Sequence, residues 1–527
     1  MSFLDSRSSL IASLDHESSF DLLVIGGGAT GLFTAYEAAK RGLKVALLES
    51  HDYASGTSSK SSKLLHGGVR YLGQGHFQLV RQALHERTYF LNWAPHLAQP
   101  LAFALPTSSI SSQLFYKSGL KFYEWLSGKD SLGKTVSITK NDLLNQWSLL
   151  KTERFNGGVI YWDAQFDDAR MALWIASEAQ RHHAVTINYA EVTRLNTISP
   201  GNYKIEWRDT DNDTSHTLFA KCVVNASGVW LDHVRKLRSD LSNPSDNEKL
   251  IYPSQGIHLV VKWPDSMGHP PNLAIINPKT SDGRVLFWIP WMGHWLIGTT
   301  DTPVSSIDYH PKPLESEIDF LLKESSAYLN VKLERHHVSS VWAGLRPLKH
   351  PNLSNTSAST PRISREHDIH LDTDGLINIS GGKWTTARIM ALDTLKFAKE
   401  HHLIPSIELE KDEYARDYDQ ISNNIDASLS NPPGMHLFGR YANQVEILSD
   451  SNQSLGLGLN PSIVHHAVKY EQALTVEDIL ARRWRTLFLD ARLAKKIAPD
   501  VSSIMINAGI RDPKLEEFLA LCNQHQI

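Results

Sequence analysis

The chain has 527 residues, too many for one hydrophobic core, and this length predicts two or three domains. Its composition is 41% hydrophobic and 21% charged, and the formal net charge of -4 supplies no global field for nucleic acid. Two distant cysteines, Cys222 and Cys522, form neither a metal spacing nor a disulfide framework, which suits a reducing compartment. The first residues carry Asp5, Arg7, Asp15 and Glu17 and lack the apolar core of a secretory signal. No apolar run is long enough to span a membrane; lying on one stays open.

Residues 1–19 read as a polar leader. The run Asp21-Leu-Leu-Val-Ile-Gly-Gly-Gly-Ala-Thr-Gly31 then reads as a buried strand, a glycine turn and the start of a helix. A second strand closes on Glu49. Gly26 permits a tight turn, Gly28 lets a pyrophosphate approach the backbone, and Gly31 lets the helix pack close to the strand. The helix start offers free N–H groups and a positive dipole end to phosphates. Glu49 follows at the distance expected for a carboxylate that binds ribose hydroxyls. This pattern predicts a dinucleotide site without separating FAD from NAD.

Residues 51–75 are rich in Ser, Gly and Lys, and long enough to be a functional loop. Within Ser58–Tyr71, serines and backbone N–H groups can bind a pyrophosphate or the edge of a flat ring. His66-Gly67-Gly68 lets the chain pass close to such a ring, and Arg70 and Tyr71 project a charge and a hydroxyl. The alternative is a solvated basic loop. Gln78–Trp93 reads as a helix. Residues 108–134 mix aromatics and leucines with Lys117 and Lys121, which fits an interfacial segment or an ordinary packed helix hairpin.

Asp168–Arg181 reads as a helix, and Val185–Tyr189, Tyr203–Trp207 and Thr217–Val224 as strands. The last stops at Asn225-Ala-Ser-Gly228, where Ala226 and Gly228 suit a second close approach of backbone to the dinucleotide. Residues 251–301 predict an antiparallel sheet forming the wall of a substrate pocket. His258 starts an apolar strand there, as a core histidine or as a base. Arg346 lies between apolar residues and a proline, so it needs an anion, either a structural carboxylate or a substrate phosphate. Arg365 reads equally as a surface ion pair.

Gly381-Gly-Lys-Trp-Thr-Thr-Ala-Arg388 joins a strand to a helix, so Lys383 can hold a phosphate and Thr385 or Thr386 can cap the helix. The segment lacks the P-loop pattern, which argues against nucleotide hydrolysis. Residues 401–433 read as a linker. Beyond it the chain turns helical, with Thr475-Val-Glu-Asp478 a capping-box variant ahead of an apolar stripe from Val476 to Phe488. The four His-His pairs diverge in direction and predict no metal site.

Several of these segments are shared with one family. Val24–Gly31, Thr57–Leu72, Trp162–Arg170, VVNASGVW to Trp230, IPWMGHWLIGTTD to Asp301, AGLRPL around Arg346, SRE at Arg365 and GGKWTTAR around Lys383 resemble the FAD-dependent, quinone-linked glycerol-3-phosphate dehydrogenases. TVEDILARR resembles the C-terminal domain of that family. Trp384 departs from the Leu or Met common there.

The resemblance implies an α/β plus α architecture. A Rossmann-like FAD-binding domain would be interleaved with an antiparallel-sheet substrate domain over 20–400, with a helical domain at 434–527. It implies noncovalent FAD held by Gly26, Gly28, Gly31 and Glu49, by Thr57, Ser58, Ser62, Lys63, Leu64, His66 and Gly67, and by Ala226, Gly228, Gly382 and Thr385. It implies glycerol 3-phosphate as substrate, with His258 as base and Arg346 beside the reacting oxygen. Arg70, Tyr71, Arg365 and Lys383 would grip the phosphate. Electrons would pass to a quinone at a peripheral contact with lipid, on the inner face of the cytoplasmic membrane. An oxidase using O2 and a redox-silent FAD-binding sensor are the alternatives, and a homodimer is left open.

Overall fold

The computed structural model describes residues 6–73, 75–199, 201–238, 248–263, 271–350, 367–409, 428–446, 448 and 453–527. Two sheets organise it, and the chain passes back and forth between them. The first runs in the order Asp368–Leu371, Ile377–Ser380, Thr214–Asn225, Phe20–Ile25, Val45–Leu48, Val185–Ile187. The four strands from Thr214–Asn225 to Val185–Ile187 pair in parallel. Parallel strands covered on both faces need continuous apolar runs, and Leu22, Leu23, Val24, Ala46 and Leu47 are all fully buried. Along Phe20–Ile25 the period of two splits the load. Leu22 and Val24 pack into the core shared with helix Ala29–Lys40, while Leu23 and Ile25 pack into the core on the opposite face.

That opposite face corrects the expectation of a leader. Ser6 accepts a hydrogen bond from the Ser9 N–H at 3.2 Å and starts a helix, Arg7–His16. Leu10 and Leu14 are buried against the sheet, and Arg7 forms a two-pronged pair with Asp209 at 3.1 and 2.7 Å. Leu10 and Leu14, one turn apart, dock the helix, and Ile11 packs half-buried against the same core.

The second sheet contains the expected antiparallel strands. Its order is Thr302–Pro303, Ile251–Lys262, His294–Gly298, Leu286–Trp291, Leu273–Asn277, Ala98–Thr107, Gly157–Phe166, Leu64–Leu65. Val338–Lys349 pairs with Ile251–Lys262 on the side away from His294–Gly298. One face is closed by helix Glu315–Tyr328 through Ile318, Leu321 and Leu322. Residues 110–127 form one helix, Ile110–Ser127, rather than a hairpin.

The C-terminal region is helical, with Pro461–Tyr470, a π-helical turn Asp478–Arg483, Ala491–Asn507 and Leu515–Gln524. The capping box is reciprocal: the Asp478 N–H donates to Thr475 Oγ1 at 3.2 Å, and the Thr475 N–H to Asp478 Oδ2 at 3.0 Å. Val476, Ile479, Leu480, Trp484, Leu487 and Phe488 are all buried. A seam of buried charge joins this region to the first sheet, where Asp52 accepts from both Arg482 and Arg483.

Candidate active site

A cavity of about 1230 Å³ is lined by residues of both sheets. At one end lies the glycine turn. Gly26 has φ +109°, and a Cβ there would stand 2.8 Å from the Ala226 carbonyl oxygen, so only glycine fits. At Gly31 an added Cβ would overlap the carbonyl oxygen of Gly26, which is how the helix comes to pack against its own turn. Gly28 borders the cavity, and Ser58 Oγ accepts from the Ala29 N–H at 3.0 Å. Glu49 stands at the end of its strand, accepting from the Gly27 N–H at 2.6 Å and the His51 N–H at 2.9 Å. Gly228 lines the cavity with φ +62°, and a Cβ added there would meet no described atom within 4 Å. Backbone thus borders open space at both predicted approach points, and the volume accommodates a dinucleotide.

At the other end cross-strand register assembles the polar groups. His258 lies opposite Gly298 on one neighbour and Trp342 on the other. It stacks on the Trp342 ring at 4.3 Å and 22°. Ser62 Oγ is 2.8 Å from its Nε2. Gly298 makes this possible, since a Cβ there would sit 2.8 Å from Nε2. Burial holds the imidazole well below its ordinary pKa, with Lys63 and Arg346 adding repulsion, so the ring is neutral at physiological pH. Gly256 plays the same part for Arg346, where a Cβ would stand 2.7 Å from the guanidinium carbon.

Of the two anions weighed from its sequence context, the structure gives Arg346 the carboxylate, that of Asp301. Nη1 donates to Asp301 Oδ1 at 3.3 Å and to the Gln255 carbonyl at 3.2 Å. Nη2 donates to Thr299 Oγ1 at 3.1 Å and the Thr300 carbonyl at 2.8 Å. A structural carboxylate is therefore present, and the side chain still faces the cavity. Lys383 Nζ lies 3.8 Å from the centroid of Tyr71, and both line the same wall.

The matches to known proteins agree with this geometry. Residues 21–394 match the FAD dependent oxidoreductase family, and residues 414–509 match the C-terminal domain of alpha-glycerophosphate oxidase. The mitochondrial glycerol-3-phosphate dehydrogenase of Homo sapiens is 36% identical over 539 residues, covering 95% of this chain and 72% of that protein. A probable counterpart from Dictyostelium discoideum is 36% identical over 526 residues, covering 92% and 80%. The glycerol-3-phosphate dehydrogenase from Bacillus halodurans complexed with FAD superposes with a TM-score of 0.74 at 27% identity, covering 98% of this chain and 97% of that one. The chain belongs to the FAD-dependent glycerol-3-phosphate dehydrogenase family. FAD is its cofactor.

Within this member of the family, most residues expected at the FAD line the cavity: Gly26, Gly28, Glu49, Thr57, Ser58, Ser62, Leu64, His66, Ala226, Gly228, Gly382 and Thr385. Three expected contacts sit behind the wall instead. Gly31 serves helix packing. The Gly67 N–H donates to the Tyr123 hydroxyl at 2.8 Å, so its close approach is to a side chain. Lys63 is fully buried and paired with Asp168 at 2.7 Å. Thr385 and Thr386 do not cap the helix Ala387–Glu400: Thr386 stands at the N-cap, but its hydroxyl donates to the Lys383 carbonyl at 3.3 Å rather than accepting from the helix, and Thr385 Oγ1 accepts from the His66 N–H at 3.3 Å. Trp384 fills the space between, its Nε1 donating to the Ser58 carbonyl at 2.8 Å. Arg70 sits on the short helix Val69–Leu72; its side chain, like Arg365, lies outside the described residues. Sequence reasoning missed Trp342, Asp301, Gly256 and Gly298. The two glycines were the available signal, since glycine inside a strand marks a close approach.

Proposed function

We propose that the chain oxidises sn-glycerol 3-phosphate at C2 to dihydroxyacetone phosphate, its electrons passing to a membrane quinone. One observation carries the reading: a single cavity is lined by a dinucleotide turn, by a neutral buried histidine with Arg346 beside it, and by the Lys383–Tyr71 pair. FAD, when bound, supplies the hydride acceptor. Lys383 and Tyr71 hold the phosphate, with Arg70 and Arg365 assigned to the same grip by their motifs. Holding the phosphate fixes C2 and so removes orientational freedom from the reaction. His258 Nε2 takes the proton of the C2 hydroxyl, a task suited to an imidazole kept unprotonated. Arg346, braced by Asp301 and Thr299, stabilises the charge that develops on that oxygen.

The quinone reading draws on the helix Ile110–Ser127. Ile110, Leu114, Phe115 and Trp125 are each 62–74% exposed. Phe115 and Phe122, with Phe77, also line the cavity, so exposed apolar surface and cavity mouth are continuous. A patch of that kind suits lipid and a lipid-soluble acceptor. No described helix is long and apolar enough to cross a membrane. The attachment proposed is peripheral, through this exposed patch, on the inner face of the cytoplasmic membrane. The test is anaerobic mixing with glycerol 3-phosphate, which should bleach the flavin, followed by reoxidation with quinone in liposomes or with O2 in parallel. An unbleached flavin sinks the substrate, and faster reoxidation by O2 sinks the acceptor.

A further inference from the structure

We propose that Lys63, Asp168 and Arg485 are positioning residues for His258, so that the C-terminal helical region completes the proton-acceptor site. This rests on the reading of His258 as proton acceptor. A lysine in a serine-rich loop is ordinarily solvated, yet the Lys63, Asp168 and Arg485 side chains are all 0% exposed. Lys63 Nζ donates to Asp168 Oδ2 at 2.7 Å and to the Ser59 carbonyl at 2.7 Å. Arg485, arriving from the far end of the chain, donates to the same two groups: the Ser59 carbonyl at 2.9 Å and Asp168 Oδ1 at 3.2 Å. Asp168 also accepts from the Ser61 N–H at 3.2 Å and the Ser61 hydroxyl at 2.7 Å.

The loop is therefore pinned at 59, 61 and 63, on both sides of Ser62, whose Oγ lies 2.8 Å from His258 Nε2. A second link runs through an aromatic ring. Lys63 Nζ is 4.6 Å from the centroid of Trp342, and Trp342 is the ring on which His258 stacks. A buried ion cluster is weak as a source of net stability. Fixing one local geometry accounts for it better. The charged groups that bear on His258 are Lys63 from the loop and Arg346 from its neighbouring strand, with Asp168 behind the first and Asp301 behind the second.

The test uses FAD-loaded protein carrying Lys63→Met, Lys63→Arg or Ser62→Ala. Anaerobic flavin reduction by glycerol 3-phosphate is followed against pH, with FAD content measured on the same samples. Lys63→Met should slow reduction by about 10- to 100-fold with KM near wild type, the scale of a misplaced reacting group. It should also move the acid limb upward by about one pH unit, because a repelling cation is gone. Lys63→Arg should restore most of both. Ser62→Ala should slow reduction without moving the limb.

In carbon-13 histidine-labelled protein, the imidazole of His258, assigned by difference with His258→Gln, should likewise titrate higher in Lys63→Met. Wild-type rate, profile and titration in a Lys63→Met protein that retains FAD overturn the proposal. If that variant does not fold, an unchanged reduction rate in Ser62→Ala overturns it instead. A wild-type flavin that substrate does not bleach counts against the substrate reading alone, and the imidazole titration still decides the positioning.

Discussion

Replacing Gly298 by alanine tests the site at its tightest point. The added Cβ would stand 2.8 Å from His258 Nε2 and closer still to Cδ2, whereas ordinary contact begins near 3.4 Å. The imidazole has to retreat by well over half an ångström, and its stacking on Trp342 at 4.3 Å limits where it can go. Displacement of a reacting group by about 1 Å costs up to about 100-fold in rate, or roughly 2.7 kcal/mol of transition-state stabilisation. Overpacking adds a stability cost of about 1–3 kcal/mol. Stopped-flow reduction by glycerol 3-phosphate should therefore slow by about 10- to 100-fold in protein whose FAD content is unchanged. A Gly298→Ala protein that holds FAD and is reduced at the wild-type rate refutes the assignment of the proton acceptor to His258.

Four further outcomes are expected. Burial, Lys63 and Arg346 together lower the His258 pKa, so the neutral ring persists to lower pH; flavin reduction should be at full rate at pH 6.5 and fall only below it, and a limb centred at 6.5 or above contradicts this. Arg346→Ala and Lys383→Ala should each lower kcat/KM for glycerol 3-phosphate by about 10- to 150-fold while barely affecting the poor substrate glycerol, and equal losses on both would assign these cations to the fold. Phe115→Ser with Trp125→Ser should weaken liposome binding and quinone turnover but leave reduction by substrate intact, which steady-state assays in vesicles can separate. Asp52→Asn leaves Arg482 and Arg483 without their shared carboxylate and should destabilise the protein by about 3–5 kcal/mol, read as a large drop in thermal midpoint.

What could be read from the sequence was local. Strand, glycine turn, helix and Glu49 lie within 30 residues, and each glycine has its own steric reason, so the dinucleotide half was legible before any contact was known. The capping box at Thr475 is legible for the same reason. The surroundings of His258 are built by register instead. His258 meets Gly298 and Trp342 only because three strands align, and no spacing rule predicts that alignment. Lys63 shows the failure most clearly. The five residues before it are four serines and a lysine, which suggests a solvated or ligand-facing loop. Its partner Asp168 is 105 positions away and turns it inward. The N-terminal helix went unseen because two leucines give too short a stripe to register as a pattern.

The charged seam also sets an order of events during synthesis. Asp52 finds Arg483 across 431 positions, and Asp168 finds Arg485 across 317. At typical translation rates of about 5–20 residues per second, roughly 20–90 s separate the appearance of Asp52 from that of its partner. Through that interval the nascent first sheet carries carboxylates that water or a chaperone must satisfy, and the loop around Ser59 lacks its second donor. The loop around Ser59 therefore gains its second donor only from a residue made 317 positions after Asp168, so the contacts that pin it close after the helical region has been synthesised.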